Sequence, residues 1–470
     1  MKDVRYSVLL ALTNISDKAI LEAELAPVGA AVVPPSGTSS ENGMPSWRGD
    51  TRRGKGAGFL LPFAGWIAAA LGIVCAVGIM VALIRGGILV NPFGPSPDTD
   101  TSTEETTDEP TEEIPFEVWD GTVAKGFARG TGTASDPYII NHPSQLAYLA
   151  KLLKGKNSSY ASKHYRLEAN LDMYRNEWTP IGTGNTAFSG HFDGNGHVIR
   201  NLSFSKLTSD EGYHVAGLFG VVKNATIQNL TITDVTFYIK KPDPSYEKIY
   251  TGGLAGIILV TKEKTATLSN CKLEKIKNSV VCMDAYYTNH YQGGVIGRIS
   301  IEEDGQFKGE RIQAVDVDLY GNYGNDLYQG LLAGYIRCYA RFDLRDVCLE
   351  GTAVGHSEGQ YHYAALAGYF YSDGANATYR NIFAVNHNVK NLGVFLANYN
   401  YEEPSKGYSF YYENCFRGYS YESSSDPTDI SYDGTQISYR NCFYTTFLPD
   451  KHGFNEQVWD VSDPRHPRLR

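Results

Sequence analysis

Alternating apolar and polar residues, closed by one polar residue and one more apolar side chain, recur through the second half of this chain. VIRNL at Val198–Leu202 is followed by ATIQNL from Ala225, ATLSNC from Ala266, FKGERI from Phe307, FDLRDV from Phe342, ATYRNI from Ala377, FYYENC from Phe410 and ISYRNC from Ile437. The closing polar residue falls at Asn201, Asn229, Asn270, Arg311, Asp346, Asn381, Asn414 and Asn441, and subtraction gives intervals of 28, 41, 41, 35, 35, 33 and 27. Period-two alternation predicts strands buried on one face. Self-similarity at this spacing predicts stacked units, because one such unit cannot close its own apolar face.

A second marker, small and apolar, precedes most of these strands: GLFG at Gly217, GLAG at Gly253, GVIG at Gly294, LLAG at Leu331, ALAG at Ala365, and a degraded VFLA at Val394. The fold class expected is an all-β solenoid, a right-handed parallel β-helix of about eight coils. Asn201, Asn229, Asn270, Asn381, Asn414 and Asn441 then form a structural ladder, one amide per corner, bonding from coil to coil. Asp193-Gly194-Asn195-Gly196, just ahead of the first strand, reads as a type I′ hairpin turn.

The small-apolar elements, with AFSGHFDGNGHVIRNL before them, resemble the GLUG-motif repeats of bacterial surface proteins, adhesins and some secreted peptidases. The resemblance covers about Trp119–Arg470, and WDGTVAKGFARGTGTASDPYIINHPSQLAYLAKLL looks like the module that often precedes such repeats. It implies a β-helix on a cell surface; it speaks to architecture more than to activity.

The N-terminal quarter follows a different pattern. Gly56–Ile84 holds no charged residue and exceeds the roughly 20 apolar residues that a bilayer requires. It lies too far into the chain for a cleavable signal peptide. Arg48, Arg52, Arg53 and Lys55 precede it and only Arg85 follows closely, so the positive-inside rule puts the N-terminus in the cytoplasm and the repeats outside. Residues 1–55 read as a cytoplasmic tail, 56–90 as the transmembrane helix and its flank, and 91–115 as a stalk. Short strands around Tyr138–Ile140, a helix from about Ser144 to Lys154 and a strand near Tyr165–Leu171 assign 116–187 to a small α+β N-terminal cap. The repeats occupy 188–447, and 448–470 form a C-terminal cap.

The formal charge is −10, but the excess is local. Residues 91–115 carry eight acidic side chains and no basic one, so they repel one another and stay extended. Nucleic acid is disfavoured as a partner, since no basic face of any length is present. The expected partners are the membrane, through 56–84, and a glycan or surface-protein ligand.

Candidate chemistry is sparse. There is no C-x-x-C, H-E-x-x-H, G-x-S-x-G or P-loop pattern, so neither metal nor cofactor is expected. Cys271, Cys415 and Cys442 take inward positions and read as free core thiols. The weak catalytic candidates are Asp316 and Asp318, which alternation places on one outer face, with Asp343 and Arg345 expected one coil later; the bland alternative is a solvated face. Of 33 tyrosines, several recur at i, i+2. Tyr363, Tyr371, Tyr401 and Tyr421 are candidates for an aromatic strip that stacks on sugar rings or presses on a partner; a cross-strand ladder in the core is the competing arrangement. The favoured function is non-enzymatic surface binding or adhesion, in a Gram-positive-type bacterium. A carbohydrate-active enzyme and a transmembrane sensor signalling through the tail are the rivals.

Overall fold

The computed structural model describes residues 115–470 except 156, 211, 241–247, 282–288, 324–325, 358–360, 373, 387–407, 419–434, 441–442, 445–453 and 463–466. The tail, the apolar segment 56–84 and nearly all of the acidic stretch lie outside the described residues, as do Tyr401, Tyr421, Asn441 and Cys442. No helix among the described residues is long and apolar enough to cross a membrane.

The described chain is an all-β solenoid of parallel strands in three sheets. Sheet A stacks the long strands Thr226–Lys240, Thr265–Val281, Gln306–Tyr323 and Arg341–Ser357, then Asn376–Asn386, Tyr408–Gly418 and Thr435–Arg440. Sheet C contains Tyr213–Ala216, Lys248–Thr251, His290–Gly293, Leu327–Gly330 and Tyr361–Ala364. Sheet B contains Phe219–Lys223, Ala255–Val260, Ile296–Ile301, Ala333–Cys338 and Ala367–Ser372. Each coil runs from A to C to B and back to A.

A strand of 15 to 18 residues is too long to stay straight around a narrow core, and single left-handed residues bend it. The first corner is formed by Asn229, Asn270, Arg311, Asp346, Asn381 and Asn414, all with φ between 51° and 54°. Asn and Asp tolerate that region better than other L-residues because their short polar side chains bond locally. Here they bond along the axis. Asn229 Nδ2 donates to Asp193 Oδ1 at 2.9 Å and Asn270 Nδ2 to Asn229 Oδ1 at 2.9 Å. Farther on, Asn381 Nδ2 donates to Asp346 Oδ1 at 2.8 Å and Asn414 Nδ2 to Asn381 Oδ1 at 2.9 Å. Arg311 separates the two runs.

A second corner, unanticipated in the sequence, holds Asp234, Lys275 and Asp316 at φ 54–56°. It changes the register of the first repeat. His191-Phe192-Asp193 pairs with Thr226-Ile227-Gln228, whereas Val198-Ile199-Arg200 pairs with Thr231-Ile232-Thr233. Asn201 therefore stacks on the second corner beside Asp234, and its amide donates to Asp172 Oδ1 at 2.8 Å rather than joining the Asn229 column. For the same reason Asp193–Gly196 is no hairpin turn. The strands on either side of it do not pair with each other but run on in one direction along the same neighbour, with Asn195 at φ 52° and Gly196 at φ 80°.

Inward columns fill the core: Leu230, Cys271, Ile312, Val347, Ile382 and Cys415 lie one above another and are buried. Burying each such side chain contributes about 1.5–3 kcal/mol. One inward column of sheet C is polar, with Thr251, Gln292 and Gln329 in register and buried. Gln292 Nε2 donates to Tyr320 O at 2.9 Å, Asn278 Nδ2 to Thr251 Oγ1 at 3.0 Å, and Thr251 Oγ1 lies 3.2 Å from His290 Nε2. The Gln329 amide nitrogen donates to Gln292 Oε1, so these side chains bond from coil to coil and favour this register, although Gln329 Oε1 is buried without a partner among the described residues.

The chain before the repeats joins the same stack. Strand Tyr138–Ile140 pairs with His164–Leu167, which pairs with His191–Asp193. The helix, α1, spans Pro143–Lys154; Pro143 opens it, where no amide hydrogen is needed, and His142 Nδ1 accepts from Ser144 N at 3.2 Å. Its face of Leu146, Leu149, Ala150 and Leu153 packs into the core.

The described residues of the C-terminal segment pack against sheet A. Trp459–Asp460 and Arg468–Leu469 form an antiparallel pair that folds back over the outside of sheet A. There Phe454, Trp459 and Leu469 cover Val315, Cys348, Phe383 and Val385. Outward apolar residues on three neighbouring strands need such a cover.

Candidate functional site

The outward side chains of sheets B and C converge in an external cluster, separate from the solenoid interior. Sheet C contributes Val215, Tyr250, Tyr291 and Tyr328, sheet B contributes Val221 and Ile257, and Tyr335 and Tyr369 pack against them. The sheets approach closely because the second residue of each sheet-B strand is glycine. A Cβ on Gly297 would lie 2.6 Å from Gly256 O and 2.7 Å from Thr251 N, and one on Gly334 2.5 Å from Gln292 N. No side chain fits there, which is the physical reason for the last Gly of the small-apolar repeat.

Parallel register puts one ring on each coil. Tyr250 and Tyr291 stack with centroids 5.1 Å apart and planes at 14°, Tyr291 and Tyr328 at 4.9 Å and 10°, Tyr328 and His362 at 4.8 Å and 11°. The strand spacing of about 4.8 Å sets this repeat. Tyr335 lies 5.1 Å from Tyr291 and 5.2 Å from Tyr369. Exposure rises along the axis: Tyr250 is 1% exposed, Tyr291 6% and Tyr328 7%, while His362, Tyr335 and Tyr369 are half-buried. The first rings are scaffold and the later ones form a surface.

Two arginines complete that surface. The Arg298 guanidinium carbon lies 5.5 Å from the Tyr250 ring centroid and 5.4 Å from that of Tyr335. Arg337 Nε donates to Tyr339 Oη at 2.8 Å, and its guanidinium carbon lies 4.8 Å from the Tyr339 centroid and 6.0 Å from that of Tyr371. Burial raises the hydroxyl pKa values of Tyr250, Tyr291 and Tyr328, and pushes that of Tyr335 up to about 12 against the opposing charges of Arg298 and Arg337. Burial also lowers the His362 pKa, against the raising effect of Asp326. At neutral pH the rings are uncharged and the arginines carry the charge.

Sequence-level candidates land unevenly. Tyr371 is part of this surface, opposite Arg337 in register. Tyr363 belongs to sheet C beneath it, in register with Gln329 and packed against the interior. The tyrosines that build the site, Tyr250, Tyr291, Tyr328, Tyr335 and Tyr369, are not members of the candidate strip. Their signal is nevertheless present: Tyr250, Tyr291, Tyr328 and His362 each stand six residues before the closing Gly of their small-apolar element, and Arg298, Tyr335 and Tyr369 one residue after it.

The carboxylate arrangement expected around Asp316 and Asp318 is not formed. Asp316 sits on the second corner, and Asp318 Oδ1 accepts from Thr352 Oγ1 at 2.6 Å. The next strand places Thr352 opposite Asp318, while Asp343 faces Lys308 and Arg345 faces Glu310, its ion-pair partner. The register shifts between Ala314 and Val317, where two residues oppose Glu350 alone, and simple alternation does not survive that bulge. Cys271 and Cys415 are buried free thiols, and burial pushes Cys271 up to about 12.

No family model matches this chain. A 124-residue stretch, 24% of the chain, is 32% identical to Halomucin of Haloquadratum walsbyi and spans 1% of that protein. Among solved structures, a Bacteroides ovatus chain described as a candidate immunoglobulin A1 protease superposes with a TM-score of 0.44 at 17% identity, covering 73% of this chain and 95% of that one.

Proposed function

We propose that this chain is a membrane-anchored, GLUG-type right-handed β-helix displayed outside the cell, and that it binds glycan through the aromatic and arginine surface of sheets B and C. The observation that carries the reading is the axial row of rings that includes half-buried Tyr335, Tyr369 and Tyr371. Such rings offer rigid, amphipathic faces at a low cost in side-chain entropy. Partial sequence similarity to Halomucin, by its name a mucin, agrees with a place outside the cell, and the uncharged segment 56–84 supplies the anchor. The right hand follows from the general rule for parallel crossovers.

The test is a glycan array probed with the full chain, wild type and a Tyr335→Ala, Tyr369→Ala variant. Retention of glycan by wild type that falls by about 1–3 kcal/mol in the variant, at an unchanged fold, supports the reading. Absence of any glycan retention by wild type overturns it.

A further inference from the structure

The outward residues of sheet B distinguish a charged ligand from a neutral one. In register they form two columns: Val221, Ile257, Arg298, Tyr335 and Tyr369, and beside it Lys223, Leu259, Ser300, Arg337 and Tyr371. Three of these ten side chains are cationic and none is a carboxylate. The apolar members lie toward the N-terminal coils and the Arg and Tyr members toward the C-terminal coils. Asp326, on the sheet-C side, is the acidic neighbour, and it accepts a hydrogen bond from Tyr328 Oη at 3.2 Å.

Arg200 pairs with Asp172, Arg345 with Glu310, Arg380 with Glu413 and Arg468 with Glu350, while Arg166 and Arg311 bond uncharged oxygens, those of the Asn195 side chain and the Arg470 backbone. Arg298 and Arg337 have no ion-pair partner among the described residues. Arg298 instead makes long contacts, Nη1 to Tyr250 Oη at 3.3 Å and Nη2 to Ser300 Oγ at 3.5 Å, and its Nε is buried without a hydrogen-bond partner among the described residues. Hydrogen bonding to Tyr339 keeps the Arg337 pKa raised although burial opposes it. Two obligate cations held against aromatic faces without carboxylates are under-neutralised, and a guanidinium's planar fork matches carboxylate and sulfate oxygens.

We infer that the sheet-B face selects an anionic polysaccharide: Tyr335, Tyr369 and Tyr371 stack on sugar rings while Arg298 and Arg337 bond their carboxylate or sulfate groups. This rests on the glycan-binding reading and names the ligand class. The polymer would run along the solenoid axis, since rings and guanidinia repeat in that direction.

The test immobilises the full chain and compares polygalacturonate with its fully methyl-esterified form, and dextran sulfate with dextran. Each pair shares a backbone and differs in charge. The expected result is a preference of about tenfold or more for at least one anionic member, the factor that one charge-assisted bond supplies, weakening as salt rises. A preference within the first pair alone assigns carboxylate, and within the second alone, sulfate. Arg337→Gln should abolish the preference, and Arg337→Lys should restore only part of it because the fork is lost. Equal binding of both members of each pair overturns this inference and leaves the glycan-binding reading standing. Absence of binding to any of the four overturns it as well, and the array then decides whether glycan binding falls too. A preference that survives Arg298→Gln, Arg337→Gln in a folded protein places the anion elsewhere and also overturns it.

Discussion

The indole Nε1 of Trp459 donates to Asp346 Oδ1 at 3.2 Å across 113 residues of sequence. The same carboxylate oxygen accepts from Asn381, so one atom joins the corner ladder to the C-terminal strap. Trp459 is fully buried, and Cys348 Sγ donates to Pro467 O at 3.1 Å beneath the strap. Trp459→Ala should cost about 3–5 kcal/mol, as for other buried large-to-small changes, and should open Cys348 to alkylation. Mass spectrometry after iodoacetamide treatment checks it: Cys348 left unmodified in the variant would show that the strap stays closed without its indole.

Gly297→Ala places a methyl group against backbone of the neighbouring strands that cannot move without breaking the ladder. A loss of at least about 1–3 kcal/mol is expected, read as a lowered denaturation midpoint. Gly126→Ala is the control, because nothing lies within 4 Å of its Cβ position, and it should change little. Equal midpoints for the two variants would mean that sheets B and C do not approach this closely.

Asn381 separates conformation from bonding. Asn381→Gly keeps the left-handed corner but loses the side-chain bonds to Asp346 and Asn414, and should cost about 1 kcal/mol per bond. Asn381→Leu loses both and adds about 1–2 kcal/mol for an apolar residue at positive φ. Chemical denaturation should therefore rank wild type, Gly and Leu in falling order, and Gly no better than Leu would contradict the corner conformation.

His290 predicts an acid limit. It is fully buried beside Thr251, and burial lowers its pKa to about 3. A base whose pKa is lower folded than unfolded binds fewer protons in the native state, so stability is complete above about pH 6.5 and falls as pH drops toward 3. The loss should approach about 1.4 kcal/mol per pH unit from this group. His290→Gln should flatten the pH dependence of the denaturation midpoint in that window, whereas an unchanged slope would show that His290 becomes charged without unfolding.

Much of the fold is legible in the order of the residues. The repeats, their apolar inward residues and the ladder members Asn229, Asn270, Asn381 and Asn414 are visible because each coil solves the same local problem: a strand must bend at one residue, and Asn does so cheaply. The closing Gly of each small-apolar element is visible as a motif, although its cause, backbone against backbone at Gly297 and Gly334, is a contact between sheets.

What the chain alone determined is the period, the parallel strand stack and the side of each strand that faces inward, because alternation and repetition are local properties. The tertiary structure decided the rest. Asn201 looks like a ladder member by its sequence neighbours, yet pairing with Thr226–Lys240 moves it to a second corner, since registers belong to two strands at once. Asp316 and Asp318 share a face only if the strand is regular, and a bulge seen only against the next coil removes that. Tyr250, Tyr291, Tyr328 and Arg298 become one cluster because residues about 40 apart are stacked about 5 Å apart, a distance that sequence spacing does not contain.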